Sequence, residues 1–208
     1  MLGIHDFWLF VIAGLVLNMT PGPDTLYIVG RSVAQGRGAG MLSALGISSG
    51  SLVHTTFAAL GLSVLLARSA TAFTVVRWVG AAYLIYLGLR MLFASRQTNP
   101  GEVNRPAAAN SWTIYRQAIT TNILNPKVAL FFLAFLPQFV EPDAPYRTLA
   151  LLLLGVVFVT NGTIWCLGVA WFAAAMSRRI RERQSASVWL SRAAGALFVG
   201  LGVRVARS

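Results

Sequence analysis

The sequence has almost nothing from which to build acid–base or metal chemistry: one cysteine, two histidines and six carboxylates in 208 residues. A lone cysteine excludes an internal disulfide and a dithiol redox pair. Set in an apolar run, Cys166 reads as an inert packing residue. No H-E-x-x-H, G-x-S-x-G, Walker A or Cys/His cluster occurs, so the common enzyme signatures are missing. The glycine-rich "GRGAG" at 36–40 reads as a short loop with no strand before it, which is not a dinucleotide fingerprint. Neither a cofactor nor a metal is expected.

Charge is scarce too. Only 11% of residues are charged against 56% hydrophobic, where soluble domains carry about 25% charged. Apolar segments of about 20 residues recur along the chain, the mark of transmembrane helices. Nothing outside them is long enough for a soluble domain, so the fold class expected is an all-α integral membrane protein, one transmembrane unit over 1–208. The net charge of +11 comes mainly from arginines grouped in the connections. That grouping is an orientation signal of an inner-membrane protein and not a nucleic-acid surface. The opening "MLGIHDFWLF" lacks a basic n-region and a small-residue cleavage site, so the first span is expected to be retained.

Six multi-pass spans are expected, near 6–30, 41–66, 74–94, 113–139, 147–173 and 187–206. A Pro-, Asn- and Ala-rich linker at 95–112 separates a first half, 1–94, from a second, 113–208. "EPDAP" at 141–145 reads as a tight turn. Connections one, three and five hold ten arginines and the opposite side five, which places both termini outside the cell. "RWVGAAYLIYLGLR" (77–90) and "RAAGALFVGLGVR" (192–204) echo each other. Either Gly/Ala/Leu-rich helices coincide here, or three spans are duplicated. Three spans per half would make the second half an inverted repeat of the first.

Against this apolar background two stretches stand out. "LNMTPGPDTLY" (17–27) places Pro21, Gly22 and Pro23 inside the first span, followed by Asp24. "TTNILNPKVALFF" (120–132) places Pro126 inside the first span of the second half, with Asn122 and Asn125 before it and Lys127 after it. An interior proline costs a helix about 3 kcal/mol, and a charge near the bilayer centre costs roughly 2.5–3.5 kcal/mol more on insertion scales. Matched interruptions in two halves are the best sequence pointer to a transporter's binding site. Asp24 and Lys127 could form a static ion pair that locks two kinked helices. Alternatively they flank a site for a zwitterion, with Lys127 and main-chain N–H groups around Gly22 facing a carboxylate and Asp24 facing an ammonium. Thr20, Asn18, Asn122 and Asn125 would then add neutral hydrogen bonds. In "GISSGSLVHTTF" (46–57), Gly46 and Gly50 have the spacing of a close helix contact. His54, on the same stripe, is either a hydrogen-bonded interior residue or a member of a proton relay.

At these residues the chain resembles the lysine exporter (LysE) superfamily, in its homoserine/threonine (RhtB) efflux branch. "TPGPDTL" (20–26), the "RS…GRGAG" stretch (31–40), "LGLR" (87–90) and "NPKVALFFLAFLPQFV" (125–140) carry the likeness, which covers nearly the whole chain. The resemblance implies six membrane helices and export of an amino acid across the bacterial inner membrane, in exchange for protons. The family's Pro-Gly-Pro-Asp falls on Pro21 to Asp24, and its Asn-Pro-Lys on Asn125 to Lys127. An acid after the second proline goes with neutral substrates of the threonine and homoserine class. A membrane scaffold and a membrane-embedded enzyme are the competing readings, and a homo-oligomer is compatible with all three.

Overall fold

Proline and glycine punctuate the helices of this chain. A computed structural model describes residues 2–68 and 108–176 continuously, together with isolated helical positions between 71 and 89 and between 196 and 203. Helix α1 (Phe7–Met19) stops before the Pro-Gly-Pro run, and α2 (Pro23–Gln35) restarts at its second proline, turned by 50°. Proline suits that first helical position because the N–H it lacks would have no partner there. Helix α3 (Arg37–Arg68) is 32 residues long, about 48 Å at 1.5 Å per residue, more than a bilayer's hydrocarbon thickness of roughly 30 Å. Helix α4 (Ser111–Ile123) is N-capped by Asn110, whose side chain accepts from the Thr113 N–H. The short α5 (Pro126–Leu130) follows the second break and runs on through a π turn, Phe131–Phe135, and a 3-10 turn, Leu136–Phe139. This second broken pair is bent by 49°. Helix α6 (Arg147–Met176) is long and apolar enough to cross a membrane, and each bent pair passes the same test as one span.

Both expected proline breaks are therefore present, but the first connection differs from its reading as a loop. Helix α2 continues to Gln35, α3 starts at Arg37, and "GRGAG" contributes one turn residue and the start of a helix. The reason is Gly36, whose φ of +85° reverses the chain in a single step, a conformation glycine adopts at no steric cost. The "EPDAP" turn is closed by Ala144 N–H on the Glu141 carbonyl and Arg147 N–H on that of Ala144. Apart from residue 71, the isolated helical positions fall within the predicted third and sixth spans. The rest of those spans, the linker up to residue 107 and the basic run at 178–183 lie outside the described residues.

The two broken spans lie side by side and run antiparallel. At one end Ile4 bridges Val140, with His5 N–H donating to the Phe139 carbonyl (3.0 Å) and Glu141 N–H to that of Gly3 (2.8 Å). At the other end the Tyr27 hydroxyl donates to the Ile114 carbonyl (2.9 Å), and Arg31 Nη2 donates to Gln117 Oε1 (2.8 Å). Gln35 Nε2 adds a bond to the Ala109 carbonyl (2.8 Å). Between these ties the breaks sit at one level. The Ile4 end is filled by buried aromatic rings, with Phe131 against Phe158 (centroids 4.8 Å apart) and Phe135 against Phe139 (4.8 Å). Trp8, Phe57, Ile164 and Phe172 point outward, as a lipid-facing surface requires.

Helix α3 packs against both α4 and α6. Its approach to α4 uses Gly46 and Gly50. A Cβ on Gly46 would fall 2.6 Å from both Ala118 Cβ and the Tyr115 carbonyl, and one on Gly50 would fall 2.7 Å from Asn122 Cβ. Gly46→Val should therefore destabilise the purified protein by about 1–3 kcal/mol through overpacking, read as a lowered Tm in detergent. Gly61→Ala has nothing within 4 Å of the new methyl and should leave Tm unchanged or slightly raised.

Candidate functional site between the two helix breaks

A proline has no N–H, so the carbonyl four residues before it loses its helical partner. In hydrocarbon that carbonyl has no water to turn to. For Pro21 that group is the Leu17 carbonyl, which keeps a 3.2 Å bond from the Thr20 N–H and accepts a second from Lys127 Nζ at 3.1 Å. The same ammonium takes the Thr20 carbonyl at 3.0 Å. Thr20 also turns its hydroxyl back onto the Val16 carbonyl, 2.7 Å away, closing the last turn of α1. For Pro126 the orphaned group is the Asn122 carbonyl, which lies 3.1 Å from His54 Nε2 and also accepts from Asn125 N–H at 3.0 Å. A carbonyl can only accept, so His54 carries a proton on Nε2. Its ring stacks on Phe132, with centroids 5.8 Å apart. Asn125 Oδ1 accepts from the Lys127 N–H and caps α5.

Asp24 lies in the first turn of α2, which no side chain caps. Its Oδ2 accepts from Asn122 Nδ2 at 2.8 Å, and Asn122 Oδ1 in turn accepts from the Ser51 hydroxyl at 3.2 Å. Its Oδ1 is buried and makes no hydrogen bond of good geometry, although the equally unpaired Asn125 amide lies close enough to interact with the carboxylate. No ion pair joins Asp24 to Lys127, so of the two readings the static lock is not formed. Each charge is instead compensated by a helix end: the ammonium by the negative carbonyl end of α1, the carboxylate by the positive start of α2.

Asp24, Asn122 and Lys127 share one cavity with Asn18 and Thr25. Ser48 and Ser51 reach it from α3, and Thr163 and Cys166 from α6, while Leu17, Ile47, Val128, Phe158 and Val159 supply apolar wall. The Ser48 and Thr163 hydroxyls meet at 2.7 Å. About 20 Å³ is open to the centre of a water-sized sphere, room for about one water. Thr20, Gly22, Asn125, His54 and the prolines do not line the cavity. They shape the chain around it, and the His54 ring nitrogen is engaged by a main-chain carbonyl rather than by Asp24. Sequence reasoning passed over Ser48, Ser51 and Thr25 and read Cys166 as packing. One signal was available: Val159, Gly162, Thr163 and Cys166 fall at i, i+3, i+4 and i+7, a single helix face.

The family model of the LysE type translocators matches residues 15–208, both breaks included. The chain belongs to this family. This LysE type translocator is 32% identical to an uncharacterized membrane protein of Pseudomonas aeruginosa, over 99% of this chain and 96% of the relative. It is 26% identical to a leucine efflux protein of Salmonella typhimurium, over 98% and 96% of the two chains. An uncharacterized membrane protein of Vibrio cholerae is 28% identical, over 98% and 97%. No solved structure matches the chain.

The two orphaned carbonyls make a stability test possible. His54→Phe keeps the ring stacked on Phe132 but removes one donor to the Asn122 carbonyl, which retains the Asn125 N–H, and should cost about 0.5–1.5 kcal/mol. His54→Gln can restore an N–H to that carbonyl and should recover part of the loss. Thermal unfolding in detergent checks the order wild type, Gln, Phe, and equal Tm values for all three would refute this role.

Proposed function

We propose that this LysE family member exports a neutral amino acid by alternating access between two inverted three-helix halves, with protons entering in exchange. The supporting observation is the unpartnered Asp24 oxygen facing a cavity between two antiparallel, matching breaks. A scaffold gains nothing from an acid and a base held apart at such a point, whereas a zwitterion matches both. In the proposed orientation both termini lie outside the inner membrane. The apolar wall and the paired hydroxyls suit an uncharged side chain, whether of the threonine and homoserine class or leucine-like. Lys127 at the cavity disfavours a cationic one. A cavity with room for about one water has to widen to admit an amino acid, so binding and movement of the broken spans go together.

The energetics suffice for export. A zwitterion carries no net charge, so the membrane potential does no work on it. One entering proton gains about 2.3 kcal/mol per 100 mV. At about 1.4 kcal/mol per tenfold, this supports a roughly fortyfold outward gradient. Asp24 is the proposed exchanging group, because its protonation would release the substrate's ammonium.

Counterflow in proteoliposomes with labelled threonine, homoserine, leucine and lysine at two pH values tests the reading. Neutral substrates should exchange and lysine should not; exchange of none of them would sink it. Asp24→Asn should abolish efflux driven by a pH gradient, and normal coupled efflux by that variant would remove the proton role.

A further inference from the structure

Among the buried side-chain atoms without a hydrogen-bond partner, two belong to cavity-lining residues: Asp24 Oδ1, an acceptor, and Asn18 Nδ2, a donor. An unpaired buried amide is costly, and more so where no lipid atom can satisfy it. Asn18 sits in the last turn of α1 and faces Gly162 of α6. A Cβ on Gly162 would lie 3.1 Å from both amide heteroatoms of Asn18, so that glycine is what leaves the amide its room. Lys127 places its ammonium on the Leu17 carbonyl, the peptide unit directly before Asn18. Two carbonyls take two of the three Lys127 N–H bonds, and its charge makes this end of the cavity positive. The Asp24 end is negative.

We infer that Asn18 binds the substrate's carboxylate, with Lys127 behind it, while Asp24 takes the ammonium; this rests on the carrier reading above. A substrate's two charged ends then meet groups that otherwise lack partners. Asn18, with the Lys127 charge behind it, then favours an amino acid over its carboxamide.

The test compares each acid with its carboxamide, which keeps the ammonium and side chain but loses the carboxylate charge. Unlabelled leucine and leucinamide, and threonine and threoninamide, compete against counterflow of the labelled acid in proteoliposomes. In the wild type the acid should compete at least about tenfold better than its carboxamide. Asn18→Ala should weaken competition by the acid about tenfold or more and that of the carboxamide, whose neutral carbonyl accepts a weaker bond, by clearly less, lowering the ratio. Should the alanine variant not fold, Gly162→Ala crowds the same amide without removing it and should lower the ratio in the same direction. An unchanged ratio in whichever of these folds overturns the role of Asn18. A wild type that exchanges no amino acid at all overturns the carrier reading instead, so the two failures are distinguishable.

Discussion

A carbonyl that loses its helical partner to a proline keeps acceptor capacity that a water-poor medium leaves to the protein itself, and much of this molecule is arranged around that requirement. Pro21 frees the Leu17 carbonyl, and Lys127 of the second broken span reaches across to it. Pro126 frees the Asn122 carbonyl, and His54 of α3 reaches across to that one. Each break is thus completed by a side chain from outside its own span. Each freed carbonyl keeps one backbone N–H from its own span and takes its second donor from a different helix, so the two interruptions are tied to the rest of the fold.

The same geometry explains how two charges are tolerated without cancelling each other. Direct pairing would neutralise Asp24 and Lys127 but leave little for a ligand to recognise. Helix ends supply partial charges fixed in place by the fold, so each side chain is compensated locally while the field between them persists. Asn122 links the two arrangements. Its side chain holds Asp24 and its carbonyl receives His54, so the second break and the acid of the first are mechanically joined.

The breaks were legible in the sequence because proline and glycine act locally: Pro21, Pro23 and Pro126 dictate them whatever lies nearby. The close α3–α4 contact could be read from Gly46 and Gly50 for a similar reason, since small residues at that spacing have few other uses in a membrane. What could not be read was which partner each freed group finds. The Leu17–Lys127 contact joins residues far apart in sequence, and no spacing rule encodes it. The static pair, one of the two readings left open for Asp24 and Lys127, is absent because Asn122 holds the acid and two main-chain carbonyls hold the ammonium. "GRGAG" misled in the other direction, because one residue at positive φ replaced a whole loop.

The two ends where the broken spans meet are fastened by different physics. At the Ile4 end a stack of phenylalanine rings lies under a short stretch of paired backbone. At the Arg31 end the ties are hydrogen bonds from Tyr27, Arg31 and Gln35 to α4 and the residue just before its cap. Water can replace such bonds one at a time with little net loss, whereas interlocked rings must separate together. Under the alternating-access reading proposed above, the polar rim is the one suited to unzip and the aromatic one to serve as the hinge pin.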